Sequence, residues 1–384
     1  MPSGAAGAAR PPAHVAVALL APLAGVNAER GKILVQAAQL ALAAPGAPPL
    51  DVQDTASTPQ GAAAAVAAAI SAGDGLILGP LTAAETAAAA GPAQAAGVPM
   101  LAFTNDRAQA RPGVWPLGIT PAQQVRRLVG AATAQGRTHF AALLPPGEFG
   151  AAMAAALSDA LAAAGAAPPD IRIHDGSNAG IQHTLRDLSD YANRRGPLDA
   201  QIKAARDTHT AEGRRQAAEL AKTPIPPPAF DTLLLADTGE KLAWLTSFLG
   251  YYDIDRPQVR VLGPALWANP AARGGADLNG AWYAAPDPAA RASFDAAYQD
   301  KYGAPAPVLA DVAYDAAAIA RVAAAGRGYA SASLCRAEGF AGVDGVFALR
   351  SDGTVRRGLA VFQIHRGGAE AIEPAPTALG GPGI

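Results

Sequence analysis

Between Leu76 and Asp106 the chain reads LILGPLTAAETAAAAGPAQAAGVPMLAFTND, and no other stretch constrains the fold as much. Leu76-Ile77-Leu78 is a short apolar run closed by Gly79-Pro80. Thr82 then opens an Ala-rich helical segment that stops at Gly97. Val98 to Phe103 is a second apolar run, ending in the polar trio Thr104-Asn105-Asp106. Apolar runs of this length with turn residues at both ends suit strands covered on both faces. A helix between two such strands is a right-handed crossover, which makes the sheet parallel. Parallel sheets bind ligands just past their strand C-termini, where a loop feeds a helix N-terminus. Those places are Gly79–Thr82 and Phe103–Asp106, and neither holds a nucleophile, a metal-ligand set or a phosphate loop. The pattern points to a binding cleft and away from catalysis.

The same grammar recurs along the chain. His14–Leu20 reads as a first strand, with a helix from about Asn27 to Ala43. Leu50–Gln53 reads as a second strand, with a helix opened by Thr58-Pro59. His139–Leu144, Ile171–His174, Thr232–Ala236 and Val259–Leu262 give a second strand set with helices between. Two successive sets, each large enough for one sheet, predict two similar lobes, as 384 residues allow. Near the C-terminus, Ser351-Asp352-Gly353 reads as the turn of an antiparallel hairpin between Phe340–Leu349 and Leu359–His365.

One segment departs from the pattern. Between Ile181 and Lys222, 14 of 42 residues are charged, twice the 16% of the whole chain. Two amphipathic helices are expected there, broken at Gly196-Pro197. Leu185, Leu188, Leu198 and Ile202 would face the lobe, and Arg194, Arg195, Arg206, Arg214 and Arg215 the solvent. Such a segment is either a solvated hairpin or a partner-docking insertion.

Much chemistry is excluded. A formal charge of −2 gives no general pull toward nucleic acid, so no nucleic-acid partner is expected. Cys335 is the only cysteine, which leaves no intrachain disulfide and no cysteine-based zinc site. Gly25–Ile33 has five residues between its glycines, and Ile33 stands where a phosphate loop needs Ser or Thr. Gly73-Asp74-Gly75 precedes a strand rather than following one. The six histidines show no metal-ligand spacing, and no G-x-S-x-G elbow exists. No cofactor, metal or catalytic residue is expected. The start, MPSGAAGAARPP, lacks the apolar core of a signal peptide, so the chain is either cytoplasmic or written without its targeting segment.

The opening AVALLAPLAGVNAERGKILVQAAQLAL resembles the first unit of type I periplasmic binding proteins, in the branched-chain amino-acid-binding group. DVQDTASTPQGAAAAV, LILGPLTAAET, GVPMLAFTNDRA and FAALLPPGEFGAAMAAAL continue the likeness. So do FDAAYQDKYGAPAP, LADVAYDAAAIA and GFAGVDGVFALRSDGTVRRGLAVFQI, over about residues 13 to 366. FTNDRAQARPGVWPLGITPAQQVRRLV, LGYYDIDRPQVRVLGPALW and AWYAAPDPAARASF are similar to the penicillin-binding protein activator family of Gram-negative bacteria. The resemblance implies two α/β lobes, each a mainly parallel sheet flanked by helices, joined by three crossings. Lobe 1 would hold 13–118 and 284–355. Lobe 2 would hold 119–283 and 356–366, with the charged insertion at 181–222. Residues 1–12 and 367–384 would be disordered. A periplasmic location, often through a lipid anchor in the precursor, is implied as well. So is regulation of a peptidoglycan synthase, that is, a penicillin-binding protein. The alternative it implies is the solute-binding component of an ABC importer for a branched-chain amino acid or related small molecule, with an ABC permease as partner.

The resemblance also places a small-molecule ligand in the inter-lobe cleft. In the amino-acid binders, the loop after the third strand offers Ser or Thr to the ligand carboxylate; here Thr82 stands there beside Leu81. The loop after the fourth strand holds Thr104 and Asp106 with Asn105 between. The second lobe usually supplies a Tyr where this chain has Phe149. The acidic partner of the ligand's ammonium falls near Gly263-Pro264-Ala265, where no carboxylate exists, and Asp237 is the substitute. Leu81, Thr82, Thr104, Asn105, Asp106, Phe149 and Asp237 are therefore the candidate ligand-binding residues.

Overall fold

The computed structural model describes residues 16–254 and 258–378. Five strands form a parallel sheet: β1 (Val17–Ala21), β2 (Leu50–Asp54), β3 (Leu76–Leu78), β4 (Met100–Ala102) and β5 (Val114–Pro116), in the order β2-β1-β3-β4-β5. The first four follow the apolar runs of the sequence; His14 and Val15 lie outside the described residues. Crossovers are made by α1 (Ala28–Ala41), α2 (Pro59–Ala72) and α3 (Ala83–Ala95). Thr58 caps α2, with Pro59 at its first turn and left-handed Gly73 at its end. Alternation along the strands divides the core. Val17, Leu19 and Leu78 pack toward α1, while Ala18, Leu20 and Ile77 pack toward α2 and α3.

The chain then crosses at 117–120 into α4 (Pro121–Ala134), β6 (Phe140–Leu144), α5 (Glu148–Ala163) and β7 (Asp170–Ile173). The charged segment is three helices, not two: α6 (Asn178–Leu188), α7 (Tyr191–Asp207) and α8 (Ala211–Leu220). The expected break at Gly196-Pro197 is absent, and α7 runs straight through it. The real corners are at Asp190 and His209, both in left-handed backbone conformation. Ile181, Leu185 and Leu188 on α6 cover the second sheet, whereas Leu198, Ile202 and Ala217 pack α7 and α8 into a small core of their own. Next come β8 (Thr232–Leu235), α9 (Gly239–Tyr251), β9 (Arg260–Gly263) and β10 (Trp282–Ala285).

A second crossing at 286–287 returns the chain to the first sheet, where α10 (Ala292–Tyr302) and α11 (Leu309–Ala325) lie on α1. Small residues make that approach close: Ala37, Ala38 and Ala41 share a core with Ala316, Ala317 and Ala320. A three-stranded meander follows, β11 (Phe340–Gly342), β12 (Gly345–Leu349) and β13 (Val355–Arg357). The Asp352-Gly353 turn forms as expected, but it joins β12 to β13, not to Leu359–His365. That later segment crosses at 358–359 into β14 (Ala360–His365), which pairs antiparallel with β10 of the second sheet. The tail expected to be disordered from residue 367 instead forms β15 (Gly368–Glu373), the edge of a seven-stranded sheet ordered β15-β14-β10-β9-β8-β6-β7. The expected disorder at 1–12 and at 379–384 lies outside the described residues.

Buried charges brace the crossings. Arg357, 3% exposed, donates through Nη2 to Leu117 O at 3.0 Å, and its Nη1 lies 3.8 Å from Asp315 and 3.9 Å from Asp344. Arg127 donates to Leu359 O at 2.7 Å and pairs with Glu373 at 2.9 Å, tying α4 to the last strands. Burial pushes Asp315 up to about 7, despite Arg357 and the Val343 N–H on its carboxyl. Burial and the neighbouring Asp344 push Asp311 up to about 8, despite Arg291 at 2.9 Å.

Candidate functional site

In the first sheet the loops after β1, β2, β3 and β4 leave one edge side by side, because these strands are parallel and adjacent. The Phe103 N–H donates to Pro80 O at 2.9 Å and joins the β3 and β4 loops. Thr82 caps α3 in a full capping box. Its hydroxyl donates to Glu85 at 2.7 Å and accepts from the Glu85 N–H at 3.2 Å. Glu85 is itself 1% exposed, and its carboxylate also accepts from the Thr82 N–H at 3.0 Å and from the buried Thr55 hydroxyl at 2.5 Å. Leu81 is half-buried against the core on the α1 side.

The β4 loop is likewise tied to itself. Thr104 Oγ1 accepts from the Asp106 N–H at 3.1 Å. Asp106 caps a single 3-10 turn, Arg107–Gln109, accepting from the Ala108 N–H at 2.9 Å and from the Gln109 amide at 3.0 Å. Asn105 is exposed, and its backbone crowds Gly118 of the first crossing: a Cβ there would stand 2.8 Å from Asn105 N. Ala56 and Ser57 hold the left-handed conformation, at φ 48° and 57°. Asp54 holds that strained loop in place by accepting from the N–H groups of Leu23, Ala24 and Ala56.

In the second sheet, Phe149 sits in the first turn of α5, half-buried against the Val125–Leu128 side of the core, with no polar atom to offer. Asp237 follows β8 and is 3% exposed. Its Oδ2 lies 3.0 Å from Nε2 of His174, which follows β7. His174 Nδ1 accepts from the Gly176 N–H at 3.0 Å, so Nε2 carries the hydrogen donated to Asp237. The Trp267 indole covers the pair, donating to Asp237 O at 3.0 Å. Asp237 is therefore committed inside the fold.

The seven candidate residues lie in two groups, Leu81 to Asp106 in the loops of the first sheet and Phe149 with Asp237 beside the second. A contact that does reach between the two halves is the exposed ion pair Arg107–Asp159 at 2.9 Å, a kind worth about 0–1 kcal/mol. Cavities of about 520, 430, 430 and 300 Å³ are lined by other residues. Sequence reasoning missed Glu85 as a buried acid, His174 as the partner of Asp237, and the true place of Arg194. Expected on the solvent face, Arg194 turns inward and donates to the carbonyls of Ser189, Pro226, Tyr252 and Asp253. Only the Thr-x-x-Glu spacing at Thr82 was a readable signal. Among the described residues no cluster of His, Cys, Asp or Glu could hold a metal ion, and no helix is long and apolar enough to cross a membrane.

Two sheets of this kind joined by three crossings define a two-lobed binding fold. Residues 14–194 match the family model described as "Periplasmic binding protein". A Rhodospirillum rubrum protein, provisionally named a branched-chain amino acid ABC transporter, is 20% identical with a TM-score of 0.69 over 94% of this chain and 100% of that one. The LpoA (YraM) C-domain from Haemophilus influenzae, a regulator of PBP1A, is 16% identical with a TM-score of 0.64 over 93% and 99%. LivJ of Streptococcus pneumoniae, solved with isoleucine, is 15% identical with a TM-score of 0.55 over 94% and 99%. No curated protein sequence matches the chain. The fold is that of type I periplasmic binding proteins, and the sequence pattern of that family runs through residues 14–194.

Proposed function

We propose that this chain is a non-catalytic, periplasmic member of the superfamily that regulates a peptidoglycan synthase by direct contact. The observation that carries this is the state of the rims. Thr82, Asp106 and Asp237, the polar side chains at the positions that would grip an amino acid, give their hydrogen bonds to the protein itself. The hydroxyl missing at Phe149 adds to this. A free α-amino acid would lose its charge-assisted contacts, each worth about 1.5–3 kcal/mol. Its buried ammonium would stand without a partner, a penalty of several kcal/mol. The likeness to the LpoA C-domain supports the reading, since that protein is a regulator. The importer reading draws on the likeness to the Rhodospirillum rubrum protein.

Calorimetric titration with leucine, isoleucine and valine should show no saturable binding, while a purified class A penicillin-binding protein from the same envelope should bind and change its polymerisation rate. Micromolar leucine binding with no effect on the synthase would overturn the proposal in favour of import.

A further inference from the structure

Four arginines line one cavity of about 300 Å³ at the border between the two sheets. Arg107 comes from the turn after β4, Arg126 from α4, and Arg350 and Arg356 from either side of the β12–β13 turn. The backbone fixes this gathering. Gly353, at φ +86°, lets the turn press onto Arg111, where a Cβ would stand 2.2 Å from the Arg111 carbonyl oxygen. The Trp115 indole donates to Arg350 O at 2.7 Å and holds the same hairpin from below.

Two carboxylates stand near. Asp159 pairs with Arg107 at 2.9 Å, and Asp352 is turned toward its own loop by the Thr354 N–H and hydroxyl, at 2.9 and 2.6 Å. Thr120 and Gln123, also in the wall, cap each other. Arg126, Arg350 and Arg356 make no ion pair among the described residues. Arg126 is exposed to solvent on one side, yet neighbouring protein atoms crowd it. That crowding first, and then repulsion from Arg356 and Arg107, pulls its pKa below the ordinary arginine value. Four cations gathered beside only two carboxylates leave an excess of like charge, which is unfavourable unless something neutralises it.

We propose that this cavity binds a small multivalent anion bearing phosphate or several carboxylate groups, gripped from both sheets by Arg107, Arg126 and Arg356. The guanidinium fork suits both groups, pairing bidentately with either. The volume lies at the lower end of small-molecule sites, which favours a compact ligand over a protein or nucleic-acid segment. Because Arg126 belongs to α4 and the others to the first sheet's side, a bound anion links the two halves beside the first crossing.

Thermal melts and calorimetry with inorganic pyrophosphate and with citrate test this, against acetate and sodium chloride at matched ionic strength. At least one of the two multivalent anions should raise the melting temperature saturably, and which one acts separates a phosphate ligand from a polycarboxylate. The double variant Arg126→Gln, Arg356→Gln should melt at or slightly above the native temperature without anion. It should also bind the active anion at least about tenfold more weakly. The proposal is overturned if neither anion exceeds chloride, or if the double variant keeps the anion-induced shift.

Discussion

Arginines gather at two places in this molecule and do opposite things. At the crossings, Arg357 and Arg291 are sunk among Asp315, Asp344 and Asp311, and Arg357 also lies over the Phe347 ring at 4.7 Å. A few residues away, Arg350 and Arg356 stand at an open cavity with Arg107 and Arg126, short of acids. The same hairpin, β12 to β13, feeds both clusters. Strand alternation sorts them: Arg357 is buried while its neighbour Arg356 is exposed. Burial with acid partners makes a cation structural, whereas crowding with its own kind at a surface leaves it available to a ligand.

The contrast is broken first at Arg357. Arg357→Ala removes one partner of a buried group and should lose about 3–5 kcal/mol in chemical denaturation. The loss should be smaller at pH 5.5 than at pH 8, because Asp315, already pushed up to about 7, can then take a proton. An equal loss at both pH values would mean that Asp315 is not the partner that matters. Next in size is Arg194→Ala, which strands carbonyl groups where α7 meets the turn after α9. It should lose about 1–3 kcal/mol, so a reversal of charge there cannot serve as a silent surface change.

A smaller effect concerns pH. Asp74, Asp315 and Asp311 have folded values raised to about 6, 7 and 8. The folded state then binds more protons than the unfolded chain between about pH 4 and 8, so stability should fall as pH rises through that window. Asp175, Asp352 and Glu338, whose values are lowered, act only below it. Melting temperatures from pH 5 to 8 check the slope, and Asp315→Asn should flatten it. The smallest expected change is at the cavity. Arg126→Gln alone should alter stability by no more than about 0.5 kcal/mol, and a large loss there would erase the distinction between the two clusters.

What could be read in advance follows from range. β1, β3, β6 and β8 are legible because strands covered on both faces show as apolar runs, and α3 is legible because its capping box is closed within four residues. β5, Val-Trp-Pro, is as short as β3 but carries a proline inside the strand, so no apolar run marks it. β15, reading GAEAIE, has little strand propensity of its own and forms by pairing with β14. Gly196-Pro197 reads as a break, yet packing of Leu198 and Ile202 on α8 carries the helix through. The hairpin partner was misplaced because β13, Val-Arg-Arg, buries an arginine where local polarity suggests solvent. At the candidate site, Thr82–Glu85 is visible in the sequence. His174 and Asp237 stand 63 positions apart, and Arg357 and Leu117 240, which no local pattern reports.

The short edge strand β15 has a protective consequence. It covers β14, whose AVFQIH sequence is buried at four of its six positions. A chain trimmed after residue 367 would bare that row of backbone donors and acceptors beside apolar side chains, an open template onto which a second molecule could add a strand. Arg127, 8% exposed at its side chain, would lose Glu373 at the same moment. The final residues of the second sheet thus act as a guard against self-association, and a C-terminal proteolytic nick would be felt first as loss of solubility.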